Sequence, residues 1–125
     1  MKNALNWFEL PAGNFERAKK FYEDIFNYKM FVLDLGSNFK MGFLPFEEKS
    51  IGGAVVWNEG FYKPGATEGP LVYLNGNPDL IIILNHVETA GGKIIIPKRQ
   101  VSPQFGYMAV FIDSEGNRVA LHSNS

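Results

Sequence analysis

One order of predicted elements, strand–helix–strand–strand–strand, occurs twice along this chain of 125 residues. Each half has one amphipathic stretch with helical spacing, and short apolar stretches that favour strands lie on either side of it. The predicted strands are 5–10, 28–34, 38–44 and 51–57 in the first half, and 71–75, 93–96, 105–112 and 118–122 in the second. A shift of 65 residues superimposes the halves, so that Trp7 falls on Val72 and Val55 falls on Ala120. The sequence therefore predicts the α+β class, with two βαβββ modules whose mixed, curved sheets enclose a cavity.

The length of the chain suits one domain over residues 1–125. Its first module is expected at about 1–57 and its second at about 71–125. The connector, residues 58–70, is rich in Gly and Pro but also carries Phe61 and Tyr62. These two aromatic side chains could close over the mouth of a pocket.

The two predicted helices carry different end signals. Asn14 is suited to cap the first helix, because its side chain can accept backbone N–H groups of the first turn. Asn27 is suited to end that helix, because Asn tolerates the left-handed conformation. The second helix is expected to begin with Asn77 as its cap and Pro78 in the first helical position, and to run to Ala90. One apolar stripe is predicted on the first helix, formed by Phe15, Ala18, Tyr22, Ile25 and Phe26.

Charge and composition limit the classes of partner. The chain has 12 Lys and Arg against 13 Asp and Glu, so it offers no broad cationic surface for nucleic acid or for anionic lipid. The longest aliphatic run, residues 80–84, is far shorter than the ~20 residues that span a bilayer. Since the N-terminal residues also lack the apolar stretch of a signal peptide, a cytoplasmic protein is expected. With no Cys, the chain has no thiolate metal ligands, and only two His remain as nitrogen ligands.

Two segments resemble motifs of the vicinal oxygen chelate superfamily, which includes glyoxalase I, bleomycin-resistance proteins and extradiol dioxygenases. Residues 14–22, Asn-Phe-Glu-Arg-Ala-Lys-Lys-Phe-Tyr, are similar to the pattern D-x-E-R-A-x-x-F-Y. Residues 113–117, Asp-Ser-Glu-Gly-Asn, are similar to D-P-x-G-N. The opening Trp-Phe-Glu-Leu-Pro resembles a branch of short glyoxalase-related proteins. The resemblance covers nearly the whole chain and implies the two-module fold predicted above.

The resemblance also identifies where a metal would be held. Metal-using members resemble one another in having His, Glu or Gln at four equivalent strand positions. The matching positions here are Trp7, Val55, Val72 and Ala120, and none of these side chains offers a lone pair to a divalent cation. No metal and no other cofactor is therefore expected, as in the metal-free drug-binding members of the superfamily.

Strand alternation predicts which side chains face the cavity. If Phe8 and Leu10 pack beneath the helix, their neighbours along the strand face the opposite side. The predicted ligand-binding residues are Trp7, Glu9, Val55, Trp57, Val72, Leu74, Ala120 and His122. Glu9 and His122 are the candidate catalytic residues, because a converging carboxylate and imidazole can orient a ligand or move a proton. The alternatives are that the tryptophans fill the cavity, that Glu9 is solvated, and that His122 is a frayed terminal residue.

The run Leu80–Leu84 suggests a protein partner. On a helix five consecutive apolar residues point all around the axis, so Ile81 or Ile82 should be exposed. We expect a homodimer, unless this segment is a strand or is covered by a neighbouring loop. The leading functional hypothesis is a metal-free protein that binds a small molecule. The alternatives are a glyoxalase-like lyase or isomerase with an atypical site, and a protein-interaction module.

Overall fold

A computed structural model describes residues 3–125, which form two four-stranded sheets and two helices. The first module consists of β1 (Trp7–Pro11), α1 (Phe15–Phe26), β2 (Val32–Asp34), β3 (Phe39–Phe43) and β4 (Gly52–Asn58). The second module consists of β5 (Val72–Asn75), α2 (Ile81–Leu84), β6 (Lys93–Ser102), β7 (Gly106–Ile112) and β8 (Arg118–Ser123). The predicted α+β class and the order of elements in both halves are confirmed.

Both sheets have the same mixed topology. Their strand orders are β1-β4-β3-β2 and β5-β8-β7-β6. In each module the first strand pairs in parallel with the last, and the remaining neighbours are antiparallel. Within the described residues β1 therefore has one unpaired edge, and so does β5. These two edges belong to different modules and lie at the junction between them.

Helix α1 begins and ends as its sequence predicts. The Asn14 side chain accepts the backbone N–H of Arg17 at 3.1 Å, and Asn27 has a left-handed φ of 52°. One face of α1 is buried in the core, and its buried residues are Phe15, Ala18, Phe21, Tyr22 and Ile25. Phe26, which was predicted within this stripe, is only partly buried at the end of the helix.

Helix α2 differs from its prediction, because only Ile81–Leu84 is α-helical. Asn77 does not cap it, since the Asn77 side chain accepts the backbone N–H of Asn124 at 2.7 Å. Instead Asp79 accepts the N–H of Ile81 at 3.0 Å. Beyond Leu84 the chain continues as turns towards Gly91. β-Branched residues lose rotamer freedom in a helix and Asn competes for its backbone bonds, so the sequence Ile-Ile-Ile-Leu-Asn supports a helix poorly.

The larger of two buried hydrophobic clusters spans both modules. Phe21 on α1 packs against Phe111 on β7, with ring centroids 6.0 Å apart. Beside this contact the Tyr22 hydroxyl donates a hydrogen bond to the Asp113 carboxylate at 2.7 Å. Burial raises the pKa of Tyr22 well above its usual value and also raises the pKa of Asp113. The helix of the first module is thus fixed to the sheet of the second.

The two segments that resemble superfamily motifs contact each other at the junction. Arg17 donates two hydrogen bonds to the Glu115 carboxylate, at 2.6 and 3.0 Å, and the backbone N–H of Asn14 donates a third at 2.7 Å. The Asn117 side chain donates to the backbone carbonyl of Pro11 at 2.6 Å. These contacts give both motifs a structural role in joining the modules.

Candidate functional site

The register of β1 and β4 decides which residues of the first module face away from the helices. Leu10 lies opposite Val55, and both are buried in the core together with α1. Trp57 follows Val55 on the same side, where it packs against this core. Trp7 and Glu9 therefore lie on the other side of the sheet, which we call the open face. Trp7 and Glu9 thus lie on the side of the sheet expected for them, whereas Val55 and Trp57 face the helices instead.

The second module shows the same division. Val72 and Leu74 belong to the core beneath the helices, so their predicted place in the cavity is also wrong. Ala120 belongs to a separate buried cluster on the open face, which contains Met108 and Val110. His122 alternates with Leu121 along β8 and so shares the open face with Ala120.

The error has a simple physical origin. In the two modules the equivalent backbone bonds are Ala12 N–H to the Val56 carbonyl, at 2.8 Å, and Gly76 N–H to the His122 carbonyl, at 2.7 Å. The first strands are thus 64 residues apart (76 − 12), but the last strands are 66 apart (122 − 56). A uniform shift of 65 is wrong by one residue at both places, and a slip of one residue reverses the face of a strand.

An aromatic cluster occupies the open face of the first module. The Trp7 ring meets the rings of Phe43 and Phe46 edge-on, with centroids 5.8 and 5.9 Å apart, and Phe31 lies 5.6 Å from Phe43. Trp7 is 36% exposed, Phe46 43% and Phe31 66%. Phe46 reaches the cluster because Gly52 has no side chain; a Cβ there would lie 2.8 Å from the Phe46 ring. We call Trp7, Phe31, Phe43 and Phe46 the aromatic cluster.

Glu9 lies next to this cluster and is held from two directions. The Trp7 indole N–H donates to one Glu9 oxygen at 3.2 Å, and the Tyr62 hydroxyl donates to the other. The hydrogen bond to the carboxylate raises the pKa of Tyr62 to about 12. Phe61 packs edge-on against Tyr62, with a centroid distance of 4.9 Å. The connector therefore returns over β1 and contacts the residue that anchors Trp7.

His122 has a different environment. Its Nε2 atom lies 2.6 Å from the backbone carbonyl oxygen of Phe105, close enough for a hydrogen bond. None of the hydrogen bonds found within residues 3–125 joins His122 to Glu9, whose oxygens are bonded to Trp7 and Tyr62. The structure therefore does not form the predicted acid–base pair.

The positions that the resemblance matches to metal ligands carry no side chain that binds a divalent metal. With the corrected register, Trp7 is equivalent to Leu71, and Ala54 is equivalent to Ala120. These four side chains are an indole and three hydrocarbons, which are not metal ligands. Within residues 3–125, no three side chains of His, Cys, Asp or Glu form a group that could hold a metal ion.

The sequence interpretation missed Phe31, Phe43 and Phe46. A usable signal was present, because alternation along β3 places Phe39, Met41 and Phe43 on one side of the strand. Phe46 carried no such signal, since it lies in the loop between β3 and β4. Trp57, on the helix-facing side of the sheet, lines a shallow groove at the start of α1 and not the open face.

Comparison with solved structures places this fold among known proteins. The V278E mutant of glyoxalase I from Zea mays superimposes with a TM-score of 0.70 at 22% identity, covering 95% of this chain and 45% of that one. TnmS3, an antibiotic-binding protein from Streptomyces sp. CB03234, gives 0.68 at 20% identity, covering 98% of this chain and 97% of that one. A glyoxalase/bleomycin resistance protein from Albidiferax ferrireducens T118 gives 0.71 at 10% identity, covering 97% and 98%. The chain thus spans less than half the length of the maize protein, and these likenesses establish the fold alone.

The remaining comparisons concern sequence. A search of curated proteins found no match. In the part of the chain that the structure describes, no helix is long and apolar enough to cross a membrane. The family model of the Glyoxalase/Bleomycin resistance protein/Dioxygenase superfamily matches residues 4–121, which is nearly the whole chain. The chain therefore belongs to this superfamily.

Proposed function

We propose that this protein binds a small, flat and partly apolar molecule on the aromatic cluster, without a metal ion. The observation that carries the proposal is the anchored but accessible Trp7 ring, which is fixed through its N–H by Glu9 and supported edge-on by two phenylalanines. A ring held in this way presents its face to a ligand at little cost in side-chain entropy. Aromatic contacts of this kind favour planar ligands.

Polar groups at the edge of the cluster would orient the ligand. Glu9 is a carboxylate beside exposed aromatic rings, so it can accept a hydrogen bond from a ligand N–H or O–H group. Tyr62 is held against Glu9 by the connector, and Phe61 beside it is exposed. A small number of polar groups at an apolar surface is the usual composition of a small-molecule site.

Two further observations support binding rather than metal-dependent chemistry. The side chains of the open face that correspond to metal ligands in relatives offer no lone pair to a metal ion. A similar structure of nearly the same length, TnmS3, is described as an antibiotic-binding protein. A binding role for this chain is consistent with both.

Tryptophan fluorescence tests the proposal directly, because the two tryptophans lie on opposite sides of the first sheet. A Trp57→Phe variant keeps Trp7 as its only tryptophan, and a Trp7→Phe variant keeps Trp57, so excitation at about 295 nm or longer reports each ring separately from the five tyrosines. We expect some members of a panel of planar aromatic compounds to quench the first variant saturably and the second variant weakly. Equal quenching of both variants, or no saturable quenching of either, would contradict the proposal.

The proposal also includes a homodimer in the cytoplasm. Ile82 is 58% exposed, whereas its neighbours Ile83 and Leu84 are buried, so the predicted apolar projection at α2 is present. Sedimentation of the protein at micromolar concentration should show a dimer, and Ile82→Lys should shift it towards the monomer. A monomer in the unmodified protein would contradict this part of the proposal.

A further inference from the structure

A second cleft lies between the two modules, outside the aromatic cluster. It has a volume of about 350 Å³ and opens where the unpaired edge of β1 approaches that of β5. We call it the seam cleft and define it by six of its lining residues: Phe8, Leu44, Ile51, Leu74, Asn75 and Asn77. None of its lining residues belongs to the aromatic cluster, and its volume falls within the range of small-molecule sites.

The walls of the seam cleft are apolar. Leu44 and Leu74 are buried members of the core, and Phe8 packs against that core. Among the described lining residues none is charged. A charged ligand would therefore lose its hydration without gaining a counter-ion, whereas an uncharged apolar ligand loses little.

Two exposed carboxamide side chains are among the polar groups that line the cleft. The Asn75 side-chain oxygen accepts the backbone N–H of Asn77 at 2.9 Å, and the Asn77 side-chain oxygen accepts the backbone N–H of Asn124 at 2.7 Å. Both oxygens are thus engaged, so the orientation of each amide is fixed by its backbone partner. Within residues 3–125 neither NH₂ group has a hydrogen-bond acceptor, which leaves donors at the cleft.

We propose that the seam cleft is a second binding site, for a small uncharged ligand whose apolar body carries a carbonyl oxygen. The apolar walls would hold the body of the ligand, and the free NH₂ groups of Asn75 and Asn77 would donate to its carbonyl. This recognition differs from that of the aromatic cluster, where Glu9 supplies an acceptor rather than a donor. The two sites therefore select ligands of opposite hydrogen-bonding character.

Three related probes test this selectivity by nuclear magnetic resonance of the ¹⁵N-labelled protein. Acetophenone has an aromatic body with a carbonyl, ethylbenzene has nearly the same shape without an acceptor, and benzoate adds a charge. We expect acetophenone to shift the side-chain NH₂ signals of Asn75 and Asn77 saturably, and to bind about 3- to 10-fold more tightly than ethylbenzene. Benzoate should bind most weakly of the three at this site.

Matched variants assign the effect to the donors. Asn75→Asp and Asn77→Asp each keep the oxygen that accepts the backbone N–H but lose the NH₂ group. The preference for acetophenone over ethylbenzene should fall towards unity in these variants, whereas Trp7→Ala should leave it unchanged. Comparing the two probes within one variant removes the general effect of the added charge on apolar binding.

Several results would overturn the second site. They are equal binding of acetophenone and ethylbenzene to the unmodified protein, shifts confined to the aromatic cluster, and the absence of saturable shifts at Asn75 and Asn77. The comparison on the unmodified protein does not depend on whether any variant folds. Loss of the aromatic-cluster site in the fluorescence experiment would leave this inference standing, because the two sites share no residue.

Discussion

Replacing Tyr22 by Phe removes one fully buried hydroxyl from the junction between the modules. That hydroxyl donates to the Asp113 carboxylate at 2.7 Å, and the ring itself keeps its packing against Phe21. A hydrogen bond to a charged group contributes about 1.5–3 kcal/mol, and Asp113 keeps three other donors from Glu115 and Asn117. We therefore expect Tyr22→Phe to lower the free energy of unfolding by about 2 kcal/mol and the Tm by roughly 8 °C.

Tyr28→Phe is the matched control, because the same hydroxyl is removed from a neutral partner. Tyr28 donates to the backbone carbonyl of Phe43 at 2.8 Å and is only partly buried, so its loss should cost about 1 kcal/mol. Urea titrations of the unmodified protein and both variants measure the difference. An equal or larger loss in Tyr28→Phe would refute the assignment of extra stability to the buried carboxylate.

The pH dependence provides a second check on the same bond. The hydrogen bond from Tyr22 stabilises the ionised form of Asp113, so the loss in Tyr22→Phe should be greatest when Asp113 is charged. It should decrease as the pH falls through the pKa of Asp113, which burial raises above its usual value. A stability difference that is constant with pH would show that the carboxylate charge contributes nothing.

Three other variants probe the junction, the site and the sheet. Burial alone would raise the pKa of Glu115, but its hydrogen bonds, chiefly the one from Arg17, lower that pKa below its usual value. The stability that this lowered pKa provides is present above pH ~4.5 and is lost as the pH falls through the lowered pKa. Arg17→Met should therefore cost about 1 kcal/mol at neutral pH, because Arg17 itself is half exposed, and urea titrations should show this cost shrinking in acid. Glu9→Gln should return the pKa of Tyr62 from about 12 towards 10 in an ultraviolet titration, and an unchanged value would exclude the carboxylate as its cause. Gly53→Ala should lower the free energy of unfolding by about 1–3 kcal/mol, because the added methyl group would meet the ring of Phe8 beneath the helices. A variant that melts near the Tm of the unmodified protein would contradict this packing.

The parts of the fold that could be predicted carry local signals. Helix α1 has a side-chain cap, a single apolar stripe and a left-handed end at Asn27, so its bounds follow from nearby residues. The turn Asp113–Asn117 is similarly local, because the Asp113 carboxylate accepts the N–H groups of Glu115 and Asn117. Helix α2 could not be predicted to its end, because β-branched residues and turn-forming residues follow each other there without a clear stop.

The faces of the strands could not be predicted, for a different reason. Strand β4 reads Gly-Gly-Ala-Val-Val and is buried on both sides, so its sequence shows no polar alternation. The face therefore had to be inferred from the repeat, and the second module has two more residues between its first and last strands than the first module has. Trp7 and Glu9 were placed correctly because Phe8 and Leu10 on β1 do alternate with them.

The polar joint between α1 and the Asp113–Asn117 turn bears on how such a chain acquires its native state. Residues 3–57 without the second module would leave the Tyr22 hydroxyl without its carboxylate and would present Phe21 to water. Residues 71–125 alone would leave the Glu115 carboxylate without its guanidinium partner. Although the two halves share one order of elements, we expect that neither folds alone and that the molecule gains or loses its structure in one cooperative step.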